Sequence, residues 1–149
     1  MAESTSPKSA PSKSASTIKG EEAVESLRRL SQGLFFPSET DAPIEPFFWP
    51  NENAEALSVE VVAKHLGENP TAIKTQSLTA FFKPLVTDQA WHNEAEKVEV
   101  KRFEALRDAV KSNLSNAKVF RVGKVEIAVY IVGNVADGLA GLKTDIVET

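Results

Sequence analysis

The chain has 149 residues, of which 42% are hydrophobic and 26% charged, so it can bury the core of one globular domain. Seventeen Lys and Arg against 21 Asp and Glu give a formal charge of −4, and the absence of cysteine excludes disulfides, thiolate metal sites and a cysteine nucleophile. No apolar run approaches the roughly 20 residues that span a bilayer, and no apolar signal-peptide region follows the start, so we expect a soluble, intracellular protein.

Residues 1–19 differ in composition from the rest: they hold six Ser, two Thr, two Pro, three Lys and one Glu. Such a segment buries too little to offset its ordering entropy, so it is predicted to be a disordered Ser/Pro/Lys tail. It is either an address or phosphorylation segment, with Ser6 as an acceptor, or an inert extension. Residues 20–149 carry 14 basic and 20 acidic side chains, a charge of −6, which disfavours direct nucleic-acid binding and favours a basic protein partner.

A helical pattern begins at Glu21, where apolar residues recur every three or four positions and Gly33 is placed to end the helix. The apolar positions are Ala23, Leu27, Leu30 and Leu34. The proline-interrupted stretch 35–43 is predicted to be irregular backbone. A strand is predicted at 44–49, followed by a short helix that Ser58 caps and Gly67 ends. Another strand is predicted at 73–75, and Ser77 is predicted to cap a helix at 78–82. Pro84 is expected to end this helix before a loop that contains Trp91.

The longest periodic segment, residues 94–116, is predicted to be an amphipathic helix. Two strands at 118–122 and 125–132 follow, and Gly123-Lys124 between them fits a two-residue hairpin turn. The glycine-containing stretch 134–141 is predicted to be a mobile loop, and residues 142–147 a last strand. Helices with a mostly antiparallel sheet in one body indicate an α+β fold, a single-domain α/β/α sandwich over residues 20–149.

No catalytic constellation is visible in the sequence. His65 and His92 have no paired spacing; the first is placed on the inner edge of a predicted helix and the second in a loop. The glycines at 133–141 match neither a phosphate loop nor a dinucleotide fingerprint. Since nothing assembles a nucleophile, a base and an orienting group, we predict that the protein is not an enzyme.

Three residues stand out, although each also has an ordinary explanation. Glu39 lies in a proline-flanked loop after two phenylalanines, where it could equally be a turn cap. Trp91 lies in a second loop, where an indole is more often packed than exposed. Thr149, the last residue, combines a hydroxyl with a carboxylate; it is either a frayed end or a source of the hard oxygen ligands that Mg²⁺ accepts.

The order of these segments resembles the nuclease A inhibitor family, whose members inhibit sugar-non-specific, metal-dependent nucleases. The matching stretches are 33–39 (GLFFPSE), 47–49 (FFW), 81–91 (FFKPLVTDQAW), 110–114 (VKSNL), 125–133 (VEIAVYIVG), 139–141 (LAG) and 147–149 (VET). They span the body of the chain from about Glu21 to its last residue, and they leave out only the tail.

This resemblance implies an α/β/α sandwich of the pathogenesis-related-protein type and a protein that fills the active-site cleft of a ββα-metal nuclease in a 1:1 complex. It implies that Glu39 meets cationic groups of the nuclease, that Trp91 is the aromatic anchor, and that Thr149 bridges in trans to the nuclease's Mg²⁺. The chain would need no cofactor of its own and would be a monomer when free. Ala90 departs from the family pattern, because the cyanobacterial member has an acid at that position.

Two other functions are weighed against nuclease inhibition. The same fold could serve as an acidic interaction module for a different basic partner. Alternatively, a pocket near His65 or His92 could make it an enzyme or a small-molecule binder. With neither a membrane segment nor an export signal, we expect a cytoplasmic location and leave the nucleus open.

Overall fold

A computed structural model describes residues 18–37, 41–50, 57–87 and 89–147 of the chain. Within these residues there are four α-helices: α1 (Gly20–Ser31), α2 (Val59–Leu66), α3 (Leu78–Val86) and α4 (Glu94–Asn113). The strands are β1 (Phe35–Phe36), β2 (Ala42–Pro43), β3 (Glu45–Pro50), β4 (Ile73–Gln76), β5 (Ser115–Val122), β6 (Glu126–Val135) and β7 (Gly138–Val147). None of the described helices combines the length and apolar character needed to cross a membrane. The predicted tail lies outside the described residues except for Ile18 and Lys19.

Five strands form one antiparallel sheet in the order β3-β7-β6-β5-β4, and β1 pairs with β2 in a separate two-stranded ribbon. Since β6 and β7 pair along their whole length, they form the centre of the sheet. The Asp137 end of the sheet is the one with the β6–β7 turn, and the Val147 end is the opposite one, where β7 finishes and β6 begins.

Hydrophobic side chains cover both faces of the sheet. Along β6, Val129 and Ile131 point into the larger core, whereas Tyr130 and Val132 point to the other face, as the alternation of side chains along a strand requires. The larger core is closed by α1, α3 and α4, and the smaller one by α2. The layers are therefore helices, sheet and helix, and the predicted α+β fold in the form of an α/β/α sandwich is confirmed.

The predicted helix caps are present. The hydroxyl of Ser58 accepts a hydrogen bond from the backbone N–H of Val61 (3.2 Å), and that of Ser77 accepts one from Ala80 (3.1 Å). Gly67 ends α2 in the left-handed conformation, with φ +68°. These short-range contacts satisfy backbone groups that each helix end would otherwise leave unpaired.

The prediction of a mobile loop at 134–141 is wrong. These residues complete β6 and begin β7, and only Ala136 and Asp137 form the turn between them. Gly141 lies inside β7, where an added Cβ would stand 1.6 Å from the carbonyl oxygen of Ile131. The glycine thus permits close packing of the two strands rather than flexibility.

Four further predictions are corrected. Residues 35–43 contain the β1–β2 ribbon instead of irregular backbone alone. The helix predicted to stop before Pro84 continues to Val86, because it buries Phe81, Phe82 and Leu85 against the core, which offsets the hydrogen bond that proline cannot donate. The long helix ends at Asn113 rather than 116. The β5–β6 connection is longer than a two-residue turn, since Val122 pairs with Ala128.

Candidate protein-binding site

Trp91 is a large hydrophobic side chain on the surface of the protein. It lies in the turn between α3 and α4, and 73% of its area is exposed, more than for any other large hydrophobic side chain among the described residues. The indole contacts the ring of His92 edge to face, with ring centroids 4.4 Å apart. The turn therefore presents Trp91 to solvent rather than packing it into the core.

The backbone on both sides of Trp91 is held by local hydrogen bonds. His92 donates its N–H to the carbonyl of Gln89 (3.0 Å) and accepts the N–H of Gln89 on Nδ1 (3.1 Å). Directly after the turn, Asn93 and Glu96 form a reciprocal capping box, with both hydrogen bonds at 2.8 Å. The backbone around Trp91 is thus held by the turn and by the first residues of α4.

The β1–β2 ribbon is held against the body of the protein at two points. Phe36 stacks on Phe81 of α3, with ring centroids 5.3 Å apart, and the buried hydroxyl of Thr144 in β7 donates to the carbonyl of Pro43 (3.0 Å). The segment that joins the two short strands contains Glu39, which lies outside the described residues, as does Thr149. Their flanking residues are described, however, and the ribbon fixes the two ends of the Glu39 segment.

We expect Thr144→Val to destabilise the protein by about 1 kcal/mol, because it removes the hydrogen bond that the buried Thr144 hydroxyl donates to the carbonyl of Pro43 while keeping the side-chain shape. Thr144→Ser, which keeps the hydroxyl, is the matched control and should restore part of that loss. Urea denaturation followed by circular dichroism measures both free energies of unfolding. Equal stability of Thr144→Val and the wild type would show that this hydrogen bond contributes nothing.

The described neighbours of all three predicted positions lie towards the Val147 end of the sheet. Strand β7 itself finishes there, with Val147 paired with Glu126. The ribbon lies beside Thr144, three residues earlier in β7. Helix α1 starts at the Asp137 end, where Asp137 accepts the N–H of Gly20 (2.7 Å), and runs towards the Val147 end.

Helix α4 brings Trp91 to the same end. Arg102 in α4 donates to the carbonyl of Gln32 (2.6 Å), which directly follows α1 at the Val147 end. Helix α4 ends next to Ser115, and the strand partner of Ser115, Asn134, lies near the Asp137 end. The first residues of α4 therefore lie towards the Val147 end. Trp91 precedes those residues by less than one helical turn.

Comparison with models of protein families shows which family the chain belongs to. A model of the nuclease A inhibitor-like proteins matches residues 21–149, which is most of the chain and includes all the strands and helices described above except the first residue of α1. The chain belongs to the nuclease A inhibitor-like family. The comparison with curated proteins finds no match.

Membership of the nuclease A inhibitor-like family indicates a nuclease inhibitor that binds a nuclease, and the family is generally non-catalytic. In this member, His65 is exposed rather than placed on the inner edge of α2, and its ring stacks on Trp49, with centroids 4.4 Å apart and planes 10° apart. His92 contacts the ring of Trp91 and accepts the N–H of Gln89 on Nδ1. Among the described residues, no group of three or more His, Asp and Glu could hold a metal ion.

Phe35 is a further candidate for contact with a protein partner that the sequence analysis did not identify. Phe35 is 49% exposed and lies in β1, four positions before Glu39, whereas its neighbour Phe36 packs inward. The signal was the pair of adjacent phenylalanines: in an extended segment, adjacent side chains point to opposite sides, so one of the two must face outward.

Proposed function

We propose that this protein inhibits a sugar-non-specific, Mg²⁺-dependent ββα-metal endonuclease by filling its active-site cleft in a 1:1 complex. The observation that carries the proposal is the exposed indole of Trp91, in a turn held by local hydrogen bonds, on a member of the nuclease A inhibitor-like family. Aromatic residues that are exposed in the free protein and buried in a complex are frequent hot spots of protein interfaces. Trp91 would be the anchor of this interface.

The two carboxylates have separate roles in the proposal. Glu39 would meet cationic groups of the nuclease, and Thr149 would bridge to its catalytic Mg²⁺ through its hydroxyl and its carboxylate. A nuclease cleft holds cations because it must bind phosphates and stabilise the charge that develops on them. Carboxylate oxygens can stand in for phosphate oxygens at such a cleft, so the inhibitor needs no metal of its own.

The net charge of the inhibitor supports the same partner. The chain carries a formal charge of −4, so it is attracted electrostatically to a basic cleft. Salt screens this attraction and shortens its range. The association rate should therefore fall as ionic strength rises, while the contribution of the buried indole should change less.

The arrangement of the described residues also supports the proposal. The neighbours of Trp91, the ribbon that frames the Glu39 segment and the last described residue, Val147, all lie towards one end of the sheet. An inhibitor that fills one cleft must gather its contacts on one surface. The shared position of these neighbours at the Val147 end supports contacts on one surface.

The proposal is tested by titrating a purified metal-dependent nuclease with the wild-type protein, which should block DNA hydrolysis near one equivalent. Deleting Thr149 should weaken the inhibition by removing the bridge to the metal, and Glu39→Ala should weaken it by removing a charge-assisted contact. Glu60→Ala, an exposed glutamate on α2, is the matched control and should inhibit like the wild type.

Each part of the proposal can fail separately. Full inhibition by the protein without Thr149 would exclude the bridge to the metal and leave the other contacts standing. If the wild type captures a basic protein that is not a nuclease and inhibits no metal nuclease, the acidic interaction module becomes the better description.

A further inference from the structure

The large hydrophobic side chains that are exposed in the described part of the chain all lie towards the Val147 end of the sheet. They are Leu30, Phe35, Trp91, Val98 and Val125. Trp91 and the ribbon that contains Phe35 lie at this end, and Val125 directly precedes Glu126, the strand partner of Val147. Exposed hydrophobic side chains are ordinarily scattered singly over a protein surface, so this concentration at one end indicates a contact surface.

One side of α4 is exposed near its start and buried near its end. Ala95, Val98, Arg102 and Ala109 follow one another at spacings of three, four and seven residues, so they share one side of the helix. Val98 is 56% exposed and Ala95 is exposed as well, whereas Ala109 is buried. The first turns of α4 therefore leave an apolar surface open to solvent.

The end of α1 accounts for this difference. Helices α1 and α4 pack against each other and run in opposite directions, because α1 ends and α4 begins at the Val147 end. Arg102 donates to the carbonyl of Gln32, just after α1, so α1 finishes about one helical turn short of Val98. With 20 residues against 12, α4 extends past α1 by its first turns. Leu30, two residues before Gln32 and 37% exposed, borders the uncovered part.

We propose that Leu30, Ala95 and Val98, which together form the α4 strip, bind an apolar surface that lies beside the active-site cleft of the target nuclease. This inference rests on the proposed function, since it takes the nuclease as the partner. The strip adjoins Trp91, which precedes α4 by less than one helical turn, so it extends the surface that would enter the cleft. Burial of its side chains in the complex would add affinity without adding charge.

Charge favours a nuclease over a second copy of this chain as the molecule that covers the α4 strip. Each copy carries a formal charge of −4, so two copies repel each other. A nuclease with a basic cleft is attracted to the same acidic protein, and its approach brings the surface beside the cleft to the strip.

The α4 strip would make the inhibition selective. A cleft that holds Mg²⁺ and binds phosphates is common to metal-dependent nucleases, so contacts with it distinguish poorly between them. The surface beside the cleft takes no part in hydrolysis and can be apolar in one nuclease and polar in another. A polar surface would lose its hydration against the strip without gaining hydrogen bonds, which weakens that complex.

The test measures the inhibition constants of Val98→Ser and Leu30→Ser, in the full-length protein, against a metal-dependent nuclease that the wild type inhibits. Each variant should inhibit about tenfold more weakly, because it buries less apolar surface in the complex. The loss should be similar at low and high salt, whereas the loss in Glu39→Ala should shrink as salt screens its charge. Ala105→Ser, which places serine on the exposed surface of α4 outside the strip, is the matched control and should inhibit like the wild type.

The outcomes separate this inference from the proposed function. A wild type that inhibits no metal-dependent nuclease would overturn both. Inhibition that Trp91→Ala weakens, but that Val98→Ser and Leu30→Ser leave unchanged, would overturn the α4 strip alone. A dimer of the free wild type in sedimentation velocity that Val98→Ser abolishes would assign the strip to a second copy and overturn the proposal as well.

A second nuclease, which the wild type inhibits more weakly, tests selectivity. Against this enzyme Val98→Ser and Leu30→Ser should lose clearly less than tenfold, because its surface beside the cleft gains less from the strip. An equal loss against both enzymes would overturn the selective role of the strip.

Discussion

We expect the Trp91→Ala variant to lose inhibition of its target nuclease by about thirtyfold or more, because truncation of a central aromatic anchor costs about 2 kcal/mol or more of binding free energy. The stability of the variant should match that of the wild type, since 73% of the side chain is already exposed in the free protein. Inhibition constants measured by nuclease titration and midpoints of thermal unfolding separate the two effects.

Two controls make the result specific to the indole. Trp91→Phe keeps an aromatic ring and should retain much of the affinity. Glu60→Ala changes an exposed side chain on α2, which covers the opposite face of the sheet from α4, and should leave inhibition unchanged. A Trp91→Ala variant that inhibits as strongly as the wild type would remove Trp91 from the interface.

The second large effect is expected at Gly141, where alanine should destabilise the protein by about 3 kcal/mol or more. The added methyl group would overlap the carbonyl oxygen of Ile131, a backbone atom in the central strand β6, so relief requires the two strands to separate. Urea or thermal denaturation should show a lower midpoint, and the variant should show correspondingly less folded protein at 37 °C.

Gly33→Ala is the matched control for Gly141→Ala. Gly33 has a positive φ of +75°, but nothing lies within 4 Å of an added Cβ, so only the backbone conformation is strained. That strain costs about 1 kcal/mol. If Gly141→Ala proved no more destabilising than Gly33→Ala, the close approach of β6 and β7 would not be the reason for the glycine.

The helices were predictable because their signals are local. Ser58 and Ser77 cap helices within three residues of themselves, and Gly67 ends α2 by its own backbone conformation. The apolar period of α4 likewise identified Phe103, Leu106 and Val110 as buried residues. Such features depend on neighbours in sequence, which a single sequence contains.

The errors occurred where distant residues decide the structure. The glycines near 134–141 indicated flexibility. Gly141 is instead required because the backbone of Ile131, ten residues earlier in β6, leaves no room for a side chain. Pro84 was expected to stop a helix, but burial of its neighbours against the sheet outweighs the lost hydrogen bond. Leu30 follows the apolar period of α1 and is still 37% exposed, because the spacing of apolar residues does not determine how wide a face of the helix is buried.

The candidate site was predictable in part. Family resemblance, rather than spacing, singled out Trp91, and the sequence alone favoured a packed indole over an exposed one. Its exposure depends on how α3 and α4 meet the sheet, which no local pattern encodes. Glu39 and Thr149 lie outside the described residues, so their roles stay predictions.

The attachment of the N-terminal segment has a practical consequence for assays. The carbonyl of Ile18 accepts the N–H of Ala136, and α1 then leads away for 12 residues, or about 18 Å, before the ribbon begins. A purification handle or biotin joined ahead of Ile18 is therefore attached at the Asp137 end of the sheet, opposite the end that carries Trp91. Immobilised on a sensor chip in this way, the molecule should expose to the solution the end that carries Trp91, where we propose that the nuclease binds.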